Sequence, residues 1–400
     1  MRRWVRGVAV GVAVLAVAGC GKADRAVMAA PGCPKGAAAR PEPRQAEAGS
    51  VYAFGPYFGA PKGFREGPVP GLTEVVSLAD SGHTTVAVRS DGTVWSYGTN
   101  VGGSLGHGSL DRVHEAEPRQ VTGIGPARAV YSSGPTFFVV LRDGTVMAWG
   151  ADRFLVRGGK REGDTGVAVP ERVARAGDVV SMGPGELNVL ALRGDGRVLG
   201  WGINLTDVLG DRNSTGIQTV PGVEGVVEVA SAGEAVVALT AGGTVCAWGN
   251  NVHGLLGVEP TGGQSGRPVH VRGLKDIVQV AGGTDVAYAL DRDGAVWAWG
   301  RGVSGALGDG KTAHHNAARP ARVAGLPPIR RISAAQRTGY AIDTEGRLWG
   351  WGSGTVVGRH AGTTHGTARP VRIPLPGPVL DVSGHHAVLR DHERRAITKD

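Results

Sequence analysis

The chain has 400 residues, 68 of them glycine, with 41% hydrophobic and 5% aromatic content and a formal net charge of +8. That apolar content excludes a disordered polymer, and glycine spread so widely points to an all-β protein with many tight turns. Without Arg2, Arg3 and Arg6, which lie in a segment read below as removed, the charge is +5 with both signs interspersed, and the basic stripe of a nucleic-acid binder is missing.

Residues 1–19 read as a lipoprotein signal peptide. A basic head precedes an apolar run from Val8 to Ala18, which is too short for a bilayer core that takes about 20 residues. Val17-Ala18-Gly19-Cys20 resembles a bacterial lipobox, in which the Cys thiol is acylated and the chain is cut just before it. Cys20 is therefore the expected lipid attachment site, and the outer face of the cell membrane the expected location. Residues 20–49, rich in Ala, Pro, Gly, Arg and Glu, have the composition of a flexible tether reaching roughly 30 Å. Cys33 falls in that tether and Cys246 in a strand pattern, so a disulfide between them is not expected and the core is expected to hold the fold.

Residues 50–395 carry the repeats, ahead of a short tail at 396–400. "DGTVWSYG" ends at Gly98, "DGTVMAWG" at Gly150, "DGRVLGWG" at Gly202, "GGTVCAWG" at Gly249, "DGAVWAWG" at Gly300 and "EGRLWGWG" at Gly352. The intervals are 52, 52, 47, 51 and 52 residues. Upstream of each lie two short aliphatic strands around a glycine turn, as in "EVVSLADSGHTTVAV" (74–88). The D-G pair suits the next hairpin, since Gly accepts positive φ and Asp bonds its own backbone. The following strand carries an aromatic that can pack between neighbouring sheets, assigned to Trp95, Trp149, Trp201, Trp248, Trp299 and Trp351. Trp297 and Trp349, two residues earlier in their copies, are also expected in the core. Next comes a turn such as "NVGGSLG" (100–106) or "NVHGLLG" (251–257), then a strand expected to open on Pro, as in "PRQV" (118–121).

Four short strands in about 50 residues make a propeller blade, a sheet that buries its faces only against its neighbours. "VYAFG" (51–55) has the aromatic strand without its hairpin, and "VLDVSGHHAVLRD" (379–391) has the preceding strands without the aromatic one. Together they complete a seventh blade and close the ring, which removes the exposed edges of an open row.

One string competes with this reading. "GALGDGKT" (305–312) fits the phosphate-loop pattern G-x-x-x-x-G-K-[ST]. Aligned with the other copies, Gly305 and Gly308 fall on Gly254 and Gly257 of the repeat's own turn, and "AHHNAARP" follows without a helical pattern. A phosphate loop needs a helix there, so no nucleotide is expected.

The motifs D-G-x-V-x-x-W-G, N-x-x-G-x-L-G and P-x-x-V, over 51 to about 395, resemble the repeats of the regulator-of-chromosome-condensation family. The resemblance implies a seven-bladed β-propeller. The His after the Gly of that pattern's turn survives only at His83 and His385, read as turn braces. Members acting on nuclear GTPases or sensing light do not suit a chain anchored outside the cell, and related secreted propellers inhibit enzymes by binding them with one face. Fold alone does not fix function.

The expected activity is that of a lipid-anchored scaffold binding an unidentified protein partner through the variable loops that follow the Leu-Gly turns. Residues proposed to meet that partner are His107, Asp111, Arg112, His114, Asp211, Arg212, Lys311, His314, His315, Arg359, His360 and His365. No nucleic acid, cofactor or catalytic residue is expected. His314, His315, His360 and His365 permit a metal site, but no nearby Cys or paired acid completes a ligand set, and none is expected. An extracellular lyase or glycan hydrolase assembled from the same loops is the alternative.

Overall fold

A computed structural model describes residues 32–34, 41–43, 46–55, 66–151, 166–210, 216–259, 261–363 and 366–391. These form seven four-stranded antiparallel sheets. Sheet 1 runs Val75–Asp80, Thr84–Arg89, Val94–Thr99 and His114–Val121. Sheets 2 to 6 repeat the pattern in chain order, their first strands being Ala127–Ser133, Val179–Pro184, Val226–Ala232, Ile277–Gly282 and Ile329–Ala335. Among the described residues only Thr355–His360 is an α-helix.

Sheet 7 is built from both ends of the chain. Ser50–Ala53 pairs antiparallel with His386–Leu389, setting Val51 opposite Val388 and Tyr52 opposite Ala387, and Val379–Ser383 lies on the other side. The first strand of each sheet packs on the first strand of the next, all the way round from sheet 1 through sheet 7 and back. The chain is an all-β propeller with those strands innermost.

The core lies between sheets. Trp149, Trp201, Trp248, Trp299 and Trp351 are buried, each within a cluster of Val, Leu and Ala from adjacent sheets. Trp95 does not join them. In the first copy Tyr97 stands at the equivalent point and is buried, while Trp95 lies two residues earlier and is half-buried under the Arg89 guanidinium, 4.2 Å from the ring centroid. Trp297 and Trp349 share that earlier position and are likewise only half-buried. Their indoles donate to Asp291 and Asp343 beside the Asp293-Gly294 and Glu345-Gly346 hairpins, at 2.9 and 3.0 Å.

The outer strands also differ from expectation. Pro118 is inside His114–Val121 rather than at its start, where the register against the neighbouring strand shifts. An outermost strand at a bulge needs no N–H there, so Pro costs the ladder nothing.

Two findings change the reading of the N-terminal segment. Cys33 and Cys246 form a disulfide, with their Cα atoms 5.7 Å apart and a sequence separation of 213. Gly32 pairs with Val269 on the outer strand of sheet 4, and the Cys33 N–H donates to the Pro268 carbonyl. That edge pairing carries Cys33 to the buried Cys246 of the adjoining strand. Pro41 is buried, Gly49 pairs with Val75, and Glu47 meets Arg390. The described parts of the expected tether thus lie on the propeller. Cys20 and its lipobox fall outside the described residues.

Candidate functional site

Antiparallel strands alternate direction, so the connections within a sheet divide between the two ends of the propeller. The turns between first and second strands share one face with the loops between third and fourth strands. The D-G hairpins and the links to the next sheet occupy the opposite face. The variable loops therefore do emerge together, and they are joined by turns that the sequence reading did not single out.

A clasp between neighbouring sheets positions those loops. The Trp149 indole donates to the Ser104 carbonyl at 2.8 Å, Trp248 to Val208 at 2.7 Å, Trp299 to Leu255 at 2.8 Å and Trp351 to Ala306 at 3.1 Å. In every case the acceptor is the fifth residue of the N-x-x-G-x-L-G turn in the preceding copy. Asn100, Asn204 and Asn251 open three of these turns, and each side-chain oxygen accepts the N–H five residues on at 3.0 Å.

Residues 305–312 form the same clasp. Gly305 has φ +80, and a Cβ there would sit 2.4 Å from the Ala368 Cα of the next sheet. The strand His315–Arg322 follows where a phosphate loop requires a helix.

Several proposed contact residues also make contacts within the fold, His114 and Arg359 while remaining exposed. The His107 side chain is only 6% exposed, pairs with Glu115 at 3.0 Å and lies 3.0 Å from the Ser96 hydroxyl. His315 lies over Gly302, which replaces the turn-opening Asn, and sits 2.8 Å from Asp309. Arg359 pairs with Glu66, and His114 lies 3.2 Å from the Thr99 hydroxyl. His360 is half-buried, and burial followed by the neighbouring Arg359 charge lowers its pKa. Asp111, Arg112, Lys311 and His314 are exposed. Asp211, Arg212 and His365 lie outside the described residues. Among the described residues no group of three His, Cys, Asp or Glu converges as a metal site would require.

The concave part of the face is elsewhere. First-to-second-strand turns from all seven sheets ring an axial mouth of about 970 Å³, lined by small and polar residues such as Ser133, Gly185, Thr284 and Ser383. Its one deeply buried ionised group is Asp80, at the seam where sheets 7 and 1 meet. Asp80 Oδ2 lies 3.0 Å from His386 Nδ1 and accepts the His385 N–H at 2.9 Å. Burial pushes this carboxyl up, but the His386 charge and hydrogen bonds from His385 and His386 outweigh it, holding Asp80 well below the usual carboxylate range.

A groove of about 280 Å³ runs outward from the mouth, sharing Glu186, Leu187, Gly233 and Thr284 with it. Leu187, Ile203, Leu205 and Val252 line it and are 38%, 40%, 61% and 50% exposed. Glu186, Glu234 and Asp285 supply carboxylates and His253 an imidazole. Glu234 accepts from the Asn250 amide at 2.6 Å, and Asp285 from Arg301 at 3.2 Å. Sequence reasoning missed this groove because Leu205 and Val252 occupy the variable second position of a turn motif read for its Asn, Leu and Gly positions. Apolar residues there contribute nothing to the clasp.

Comparison with known proteins agrees with this architecture. The family model described as RCC1-like domain matches residues 47–389. The chain belongs to the RCC1-like domain family. The regulator of chromosome condensation of Mus musculus is 26% identical over 365 residues, covering 80% of this chain and 83% of the relative. The E3 ubiquitin-protein ligase HERC2 of Homo sapiens is 28% identical over 76% of this chain, which spans only 5% of that protein. The mitochondrial RCC1 domain-containing protein RUG3 of Arabidopsis thaliana is 30% identical, with 58% of this chain and 55% of the relative covered. Among solved structures, Prp20p of Saccharomyces cerevisiae superposes with a TM-score of 0.74 at 20% identity, over 88% of this chain and 94% of that one. These place the RCC1-like propeller from strand Ser50–Ala53 to strand His386–Leu389, ends included.

Proposed function

We propose that this RCC1-like propeller is a lipid-anchored scaffold on the outer face of the cell membrane that binds a protein partner through its loop face. The carrying observation is where the apolar surface lies. Of the eight large apolar side chains that are exposed among the described residues, Leu110, Val113, Leu187, Ile203, Leu205 and Val252 all stand on that face. Leu187, Ile203, Leu205 and Val252 share one groove; contiguous exposed apolar surface marks an interaction site, and rigid scaffolds carry function on loops. Prp20p, similar in fold, is a protein described by its binding to Gsp1p and histones; the propeller supports protein binding here in kind, not in partner.

The location rests on two further features. A basic head, a short apolar run and small residues before Cys20 suit export and acylation. The Cys33–Cys246 disulfide suits an oxidising compartment, since cytosolic thiols are kept reduced.

The test is crosslinking on intact cells followed by capture of the full-length protein. A specific partner lost on grafting Gly-Ser into loop-face segments, and kept on altering the D-G hairpins, is expected. Turnover of a glycan or peptide library with no stable partner would replace the scaffold by an enzyme. Fatty-acid labelling tests the anchor: Cys20→Ser should abolish incorporation and release the protein to the medium.

A further inference from the structure

We infer that the groove beside the axial mouth binds an extended polypeptide segment in which apolar side chains alternate with lysine or arginine. The inference rests on the scaffold reading and deepens it by naming the site and the chemistry of its occupant. Leu187 and Ile203 stand on one side of the groove in sheet 3, and Val252 on the other in sheet 4, with Leu205 between at 61% exposure. Their burial by a partner removes apolar area from water on both sides of the contact.

Charge identifies the rest of the occupant. The whole chain carries +8, yet this groove gathers Glu186, Glu234 and Asp285. Arg301 offsets one of them through its 3.2 Å pair with Asp285, and His253 lies 3.9 Å from the same carboxylate. A local acidic sign on a basic protein disfavours an anionic lipid surface and favours a cationic segment, which also gains in on-rate. Shape favours an extended ligand over a compact one. The groove is small but opens into the mouth through four shared residues, so a chain can lie radially with its continuation over the axis. Successive side chains of an extended segment point to opposite sides, which lets apolar groups enter the groove while cationic ones reach the acids at its rim.

The experiment uses the exported, disulfide-bonded protein and three fluorescein-labelled synthetic peptides of equal length, alternating Leu–Lys, Leu–Glu and Ser–Lys. The Leu–Lys peptide should bind at least about tenfold more tightly than either other, and the advantage over Leu–Glu should shrink with added salt. Leu205→Glu combined with Val252→Glu should weaken Leu–Lys binding about tenfold or more. Leu110→Glu with Val113→Glu, altering the other apolar patch of the same face, should leave it unchanged. All four side chains are at least 44% exposed, so the variants should unfold at the wild-type midpoint, which is measured alongside. Equal binding of the Leu–Glu peptide, or equal loss in both variant pairs, overturns the inference. So does wild-type self-association that Leu205→Glu removes, which would make the groove a contact between copies. Cell-surface capture separates this from the broader reading: a specific partner retained by the Leu205→Glu, Val252→Glu protein keeps the scaffold and sinks the groove.

Discussion

Asp80 and His386 show how a closed ring concentrates chemistry at its seam. Both side chains are essentially sealed from solvent, at 1% and 0% exposure. Around the carboxylate stand His385, His386 and the buried Tyr340, whose hydroxyl is itself raised by burial and by the Asp80 charge. Tyr97 packs edge-on against the His386 ring, centroids 5.7 Å apart. Removing one partner strands the other in a dry site, which costs about 3–5 kcal/mol. Asp80→Asn should therefore lower unfolding stability by about 3 kcal/mol at neutral pH in urea titrations. The pH dependence has a definite sign. Asp80 is depressed when folded, so its contribution is complete above the carboxylate's ordinary value of 3.8 and fades as pH falls from there toward the folded value. Wild type should lose stability on acidification below that point more steeply than Asp80→Asn. Parallel acid limbs for the two proteins would show that the seam does not depend on this charge.

At the level of the element, the aromatic strand and the Gly-x-Leu-Gly turn explain one another. The Trp248 indole N–H meets the Val208 carbonyl across a sheet boundary, so one motif of a copy is the partner of another motif in the copy before it. Trp248→Phe keeps most of the packing and orphans a buried carbonyl, which costs about 1–3 kcal/mol. Trp95→Phe, on a half-buried ring, should cost under about 1 kcal/mol. Equilibrium unfolding of the two variants distinguishes the clasp from generic aromatic burial. Gly305→Ala should fail more severely, because positive φ and the 2.4 Å approach to Ala368 combine; overpacking alone costs about 1–3 kcal/mol. Lys311→Ala, on the exposed side of the same string, should stay within about 0.5 kcal/mol of wild type. Loss of a bound nucleotide in Lys311→Ala would reopen the phosphate-loop reading.

These elements also mark how far the sequence could be read. The strands, the D-G hairpins and the seam joining 51–55 to 379–391 were legible because each depends on local alternation and on a unit copied six times. The assignment of Trp95 failed because the first copy carries Trp95 and Tyr97 two residues apart on the same strand, so residue type and register point to different positions. The Pro strands began earlier than expected because edge bulges leave no periodic trace. His107 and His315 read as free loop residues, since a histidine filling its own turn has the same local sequence as one facing solvent. The groove escaped because first-to-second-strand turns from three sheets and third-to-fourth-strand loops from two of them create it together, and no single copy contains it.

For the molecule as a whole, the Cys33–Cys246 disulfide was the least legible feature and sets the geometry of any anchor. Nothing in sequence spacing brings position 33 to position 246; only the docking of Gly32 beside Val269 does. Cys246 is the second residue of strand Val245–Asn250, just after the hairpin turn at 241–243, so the crosslink sits toward the hairpin face. Given the proposed lipid at Cys20, residues 21–32 are all that separate the membrane from this pin. A flexible chain of that length reaches roughly 20 Å, which would turn the hairpin face toward the membrane and the groove away from it. Two measurements follow. Cys33→Ala leaves Cys246 as a small buried thiol, compatible with its surroundings, and should lower stability by about 2–4 kcal/mol. Reductant should bring wild type down to the variant and leave the variant itself unchanged. On vesicles carrying the lipidated protein, a fluorophore on the hairpin face should lie closer to a membrane quencher than one at Asp111, and reduction should narrow the difference by lengthening the leash. Equal quenching of both positions in the oxidised protein would mean that the crosslink stabilises the ring without orienting it.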